Sequence, residues 1–267
     1  MRKKLLLHKK KTMILVIGIL SFFALLAAIG FVFMHDYYPV ESRVSNIDEY
    51  SKEDPDEYTT VGWIRVQGTN IDYPVIYAPR YDLGYKTDNF AWNEVNSDHL
   101  LNKVSINGHN IMNLSSNPLV ADKNHTRFEQ LMSFVYLDFV EENKYIQYTF
   151  DGVDYIYKIF SVSFPEYGET DTFLDHDLSS SEMKDYIEQS LEDSIFEFNI
   201  DVDENDKIIS LVTCTRMFQL AGEYREFRVD ARLVRENELK TNYGVKKTDK
   251  YKELDSVMKG GEYNEEA

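Results

Sequence analysis

The chain has 267 residues, 29 Lys and Arg against 46 Asp and Glu, a formal charge of −17 and a single Cys. At 43% hydrophobic and 14% aromatic it carries enough side chain to bury a core, which excludes disorder as its overall state. One Cys excludes an internal disulfide and any multi-thiolate zinc or iron–sulfur site. The acidic balance argues against a general nucleic-acid-binding surface, because phosphate binding depends on a Lys/Arg-rich face that displaces counterions.

Residues 1–12 hold six cations and no acid, and residues 13–34, MILVIGILSFFALLAAIGFVFM, follow without one charge. At about 1.5 Å rise per residue such a helix spans a hydrocarbon core of roughly 30 Å. It reads as an uncleaved transmembrane signal anchor. A secretory signal peptide would have an apolar region of roughly 7–15 residues and a small-residue cleavage site, whereas this run ends in Phe31, Phe33 and Met34. The basic flank predicts a cytoplasmic N-terminus, a single pass through the cell membrane and an extracellular remainder. Without the six N-terminal cations, that remainder is more acidic than the whole chain. Its charge fits a soluble, non-associating surface or the guidance of a cationic partner.

Residues 35–60 are polar and acidic and read as a stalk, with a short amphipathic helix that places Val44, Ile47 and Tyr50 on one face. The dense region spans 61–236. Strands are expected at 62–66, 71–77, 104–106, 145–150, 155–162, 208–212 and 225–234, each rich in β-branched or aromatic residues. Asp151-Gly152 between two of them signals a hairpin. Helices are expected at 127–139 and at 181–196, the second opened by a Ser179-x-x-Glu182 capping box and lined by Met183, Ile187, Leu191 and Ile195. Residues 237–267 read as a charged, solvated tail with some helix. The fold class is mainly β, a barrel or sandwich with added helices.

Cys214 ends the apolar run 208–212 and begins a polar stretch. A lone Cys is commonly a buried structural residue. Against that, an unpaired thiol outside the cytoplasm is an oxidation liability, and four arginines follow within 225–235. Residue chemistry alone leaves both readings open. Of the six His, His109 stands out in Asn107-Gly108-His109-Asn110, directly after a short strand, as a general acid/base or as a turn residue. His99 and His125 read as solvated. No metal-binding spacing of His or EF-hand pattern is present, so no metal or other cofactor is expected.

The segments Gly62-Trp63-Ile64-Arg65-Val66-Gln67-Gly68-Thr69-Asn70-Ile71-Asp72-Tyr73-Pro74-Val75, Asn107-Gly108-His109-Asn110, Phe128-Glu129-Gln130-Leu131 and Leu211-Val212-Thr213-Cys214-Thr215 occur in the order and approximate spacing of sortases. Over residues 60–235 the chain resembles that family, most closely class B. The resemblance implies an eight-stranded β-barrel with added helices, 181–196 being the extra helix that class B carries before the Cys strand. It implies a membrane-anchored cysteine transpeptidase on a Gram-positive surface. Such an enzyme cleaves a C-terminal sorting signal after Thr through a thioacyl intermediate and passes the surface protein to an amine of peptidoglycan.

By the same resemblance Cys214 is the nucleophile, His109 the acid/base, and Arg225 the guanidinium for substrate and oxyanion, with Arg228 as the alternative arginine. Thr213, Ser210 and Asn110 are implied as substrate-binding residues. Arg232 and Arg235 read as surface charges. Two departures stand out: Glu226 follows Arg225 where the family has an aromatic or aliphatic residue, and Val212 replaces a more usual Ser. The Val also occurs in pilin-polymerising sortases, so a pilin Lys is the alternative acceptor. A cysteine hydrolase and a catalytically silent peptide-binding barrel are the other readings.

Overall fold

The computed structural model describes residues 59–78, 91–110, 128–166, 176–215, 218, 225–238 and 242–255. The basic segment 1–12, the apolar run 13–34 and the stalk up to residue 58 lie outside the described residues. Among the described residues no helix is long and apolar enough to cross a membrane. The chain forms two compact units, residues 1–41 with 238–242 and residues 42–237 with 243–267. The second contains the barrel.

Eight strands close the barrel in the order β1-β2-β3-β4-β8-β9-β6-β5. They are β1 (Thr59–Val66), β2 (Asp72–Tyr77), β3 (Ala91–Asn93), β4 (Lys103–Asn107), β5 (Tyr145–Phe150), β6 (Val153–Ser163), β8 (Ile208–Thr215) and β9 (Arg225–Leu233). The fold class is thus a closed, mainly β barrel, as expected. Two further strands, β7 (Phe196–Phe198) and β10 (Val245–Lys247), pair antiparallel outside it. Neighbours in the barrel are antiparallel except β2 with β3 and β4 with β8. The β5–β6 hairpin turns at Asp151 and Gly152 with φ of 48° and 72°. Positive φ at both central residues gives the twist that joins antiparallel strands tightly.

Period-two alternation builds the core. Ile64, Val66, Ile146, Tyr148, Tyr157, Ile159, Ile209, Leu211, Phe227, Val229 and Ala231 point inward, all buried. The segment expected as one helix over 127–139 is divided, into a 3-10 helix at Phe128–Val135 and an α-helix, α1, at Leu137–Glu142, with Tyr136 extended between them. Phe128, Leu131 and Phe134 recur every three residues and are fully buried, a spacing that the three-residue turn of a 3-10 helix keeps on one line.

The second helix, α2, spans Ser180–Asp193 and carries the expected capping box: Ser179 accepts from the Glu182 N–H while the Ser179 N–H donates to the Glu182 carboxylate. Its buried face is Met183, Tyr186, Ile187 and Ser190, packed on Phe160 and Ile208 of the barrel's outer surface. Leu191, expected on that face, is 46% exposed. Successive steps of four overshoot the 3.6-residue turn and rotate it toward solvent.

The C-terminal segment corrects the expectation of a solvated tail. Tyr243 donates to the carbonyls of Lys144 and Ile159, β10 pairs with β7, and Tyr251 and Leu254 join the main core. Helical residues 250–255 alternate charged positions with these anchors, so composition alone hid a packed face. Arg232 and Arg235 are likewise not simple surface charges. Arg232 is fully buried and donates to the Asp201 carbonyl at 2.7 Å. Arg235 ties the carboxylates of Asp201, Asp203 and Asp206, which lie on the loop between β7 and β8.

His99 bridges Asp98 at 2.8 Å and Asp177 at 2.7 Å, and Asp177 also accepts from the Asn102 N–H. These bonds hold the approach to β4 against the approach to α2. The two carboxylates raise the His99 pKa, Asp98 first, while the His99 hydrogen bond lowers that of Asp177. Stabilisation from the raised imidazole is complete below its unfolded value and is lost as pH rises through the folded one; that from the lowered carboxylates is lost only as pH falls through theirs. His99→Gln should therefore reduce the melting temperature at pH 5.5 and have less effect at pH 8.5, as read by paired thermal melts.

Candidate active site

The parallel pairing of β4 with β8 brings the two candidate reacting groups to one place. Its register runs from Lys103 opposite Ile208 to Asn107 opposite Val212. Two residues beyond that last pair, on the loop after β4 and on β8 respectively, come His109 and Cys214. The ends are bonded together: the Gly108 N–H donates to the Val212 carbonyl at 3.1 Å, and Thr213 Oγ1 donates to the Gly108 carbonyl at 2.7 Å. Cys214 is the one exposed residue of β8 and is in no disulfide. His109 and Asn110 are half-buried.

Phe128 and Trp92 hold the His109 loop. The Phe128 N–H donates to the His109 carbonyl at 3.0 Å. A Cβ at Gly108 would lie 2.2 Å from the Phe128 ring, so this glycine is required by close approach, and its φ is not positive. The Trp92 indole of β3 packs on the His109 ring, with centroids 4.8 Å apart at an interplanar angle of 47°.

On the other side of Cys214 lies β9. Cys214 is directly opposite Glu226, and Thr215 is opposite Arg225. The Glu226 N–H points away from β8, to the Pro165 carbonyl. Cys214 and Glu226 are therefore a non-hydrogen-bonded cross-strand pair, the closer kind, with side chains on one face. The Glu226 side chain is nearly buried. Arg225, on the alternate face, donates to the Phe164 carbonyl at 3.2 Å, and its guanidinium stands 4.9 Å from the Phe218 ring centroid.

Arg228 shares the Cys214 face but is committed elsewhere. It is buried beneath α2, 3.0 Å from the Asp230 carboxylate and 5.4 Å from the Tyr186 ring centroid. Tyr186 donates to Asp230 at 2.7 Å, and burial pushes its phenol pKa up. Ser210, expected to touch substrate, belongs to this same network: it is fully buried and donates to Asp230. The covering helix removes it from the surface. Thr213, also expected at the substrate, is buried and bonds the backbone beside His109. Of the three, Asn110 alone keeps partial access.

Ile76, Trp92, Asn107, Val212, Cys214 and Glu226 thus lie along one outer surface of the barrel, with α2 covering its far end. Sequence reasoning missed Trp92 and Glu226. Glu226 had a usable signal, since inward Phe227 and Val229 require outward Glu226 and Arg228. Trp92 had none, because β3 is too short to show a period. Among the described residues no group of three or more His, Cys, Asp and Glu is arranged to hold a metal ion.

Comparison with known proteins gives the same architecture. No family model matches. Sortase B of Listeria monocytogenes is 25% identical over 167 residues, which are 58% of this chain and 62% of that protein. The chain thus spans less than two thirds of this curated relative. A mutant form of Clostridium perfringens sortase B superposes with a TM-score of 0.57 at 22% identity, covering 72% of this chain and 88% of that one. Sortase B from the type II pilus of Streptococcus pneumoniae gives 0.54 at 20%, covering 69% and 96%. A Staphylococcus aureus sortase B–substrate complex gives 0.53 at 15%, covering 72% and 93%.

Two substitutions test this geometry. Gly108→Ala must displace Phe128 or the His109 backbone and should cost about 1–3 kcal/mol of stability in a urea titration. Glu226→Gln neutralises the residue directly across from Cys214. The rate of Cys214 alkylation by iodoacetamide at pH 7 should then rise roughly 3–10-fold.

Proposed function

We propose, from the premise that this chain belongs to the sortase family and to its class B, that it is a cysteine transpeptidase acting at the outer surface around Cys214. The observation that carries this reading is the β4–β8 register, which sets an exposed thiol and an imidazole-bearing loop side by side and bonds their backbones together.

Cys214 Sγ, as thiolate, attacks the carbonyl carbon of the Thr in a C-terminal sorting signal. The tetrahedral oxyanion collapses, the C–N bond breaks, and His109 gives its proton to the departing amine. A thioacyl bond now joins Sγ to the substrate protein. An incoming amine, deprotonated by His109, attacks that carbonyl, forms a new amide and releases the Cys214 sulfur. Arg225 is the guanidinium assigned to the substrate and oxyanion, because its donors are permanently charged and fixed in a plane, while Arg228 is engaged beneath α2. Asn110 is assigned to substrate binding beside His109.

The acceptor amine belongs to peptidoglycan in this reading, and a pilin Lys is the alternative that Val212 favours. Residues 13–34 serve as a single-pass anchor, with residues 1–12 in the cytoplasm and the barrel outside, since 22 uncharged residues suffice to span a bilayer.

Incubating the detergent-solubilised full chain with a sorting-peptide library should produce an acyl adduct on Cys214, detected by mass spectrometry. Cys214→Ala should abolish the adduct and His109→Ala should nearly do so. Added cross-bridge peptide or Lys peptide should appear as ligated product. Adduct or cleavage that survives in Cys214→Ala would overturn the assignment, and free acid alone in the presence of amines would mark a hydrolase.

A further inference from the structure

Trp92 sits on the outer surface of the barrel, outside the main core, where its apolar cluster among the described residues is Ile76 and Ala78, and it is 8% exposed. The nearest ring is the His109 imidazole, at 4.8 Å.

Topology ties the two residues further. Trp92 is in register with Ile76 of β2 on one side and with Asn107 of β4 on the other, and the Trp92–Asn107 pair is the whole β3–β4 register. Two residues past Asn107 comes His109. The strand that leads into the imidazole is thus anchored to β3 at the residue whose side chain meets it.

The indole Nε1–H is buried and has no hydrogen-bond partner among the described residues. An orphaned buried donor costs about 1–3 kcal/mol, so the residue's value here lies in its ring face and not in its donor. We infer that Trp92 is a positioning residue for His109: its aromatic face holds the imidazole plane toward Cys214, so that the ring can pass a proton to and from the amine. This inference rests on the transpeptidase reading for its kinetic consequence, but the ring contact is testable without it.

The test compares the full chain with Trp92→Phe and Trp92→Leu. In histidine-labelled protein, with His109→Gln used to identify the resonance, the His109 ring protons should carry an upfield ring-current shift that Trp92→Phe largely keeps and Trp92→Leu loses. In sorting-peptide turnover, Trp92→Leu should lower kcat roughly 10–100-fold. KM should move less than about threefold. Trp92→Phe should restore most of the lost rate. Thermal melts identify a variant that has simply failed to fold, and Trp92→Phe keeps the test standing if Trp92→Leu does fail. A His109 spectrum and a kcat untouched by Trp92→Leu would overturn the inference, as would a Trp92→Phe variant as slow as Trp92→Leu, which would give the role to the indole N–H. If the unmodified chain turns over no peptide, the transpeptidase reading fails while the ring-current arm still decides the contact.

Discussion

Everything that could react in this protein depends on the parallel pairing of β4 and β8. Parallel neighbours require a long crossover between them, and here that crossover contains the 3-10 helix, α1, β5, β6, α2 and β7. The crossover elements do more than return the chain. β5 and β6 complete the wall, and α2 lies on its outer surface over β6, β8 and β9. Because parallel strands end together, the loop after β4 and the last residues of β8 emerge at one rim. A thiol on one and an imidazole on the other become neighbours by topology before any side chain is placed.

α2 divides the outer surface into two chemical environments. Beneath the helix, Lys103, Arg228 and Asp230 are buried with Tyr186, Ser105 and Ser210. Charges so placed are tolerable only when paired and hydrogen-bonded, and removal of one partner strands the other. Past the helix the same surface opens at Cys214, the exposed residue of β8. An arginine on the Cys214 side of β9 is therefore not automatically available to it. Arg228 is drawn toward the helix, Arg225 stands on the alternate face at the rim, and the position directly across from the thiol is held by Glu226.

Parts of this architecture could be read directly from residue order. β5, β6, β8 and β9 are rich in β-branched or aromatic residues, the Asp151-Gly152 turn demands positive φ, and Ser179 with Glu182 caps α2. Each signal is complete within a short window. The strands that were missed, β3, β7 and β10, have three residues apiece. Such pieces become strands only because a neighbour supplies their hydrogen bonds. Tyr251 and Leu254 sit among charged residues and reveal their burial only against the core they enter.

Residue order was enough to find the apolar run at the N-terminus, the mainly β character of the region that follows, and Cys214 and His109 as candidate reacting groups. Those follow from residue type and local period. Tertiary structure alone decided that Ser210 and Arg228 lie under a helix, that Glu226 faces the thiol, and that Trp92 backs the imidazole. The reason is register: facing alternates with every residue along a strand, so a single step changes which side chain meets which, and the step is set by hydrogen bonds to strands far away in the chain.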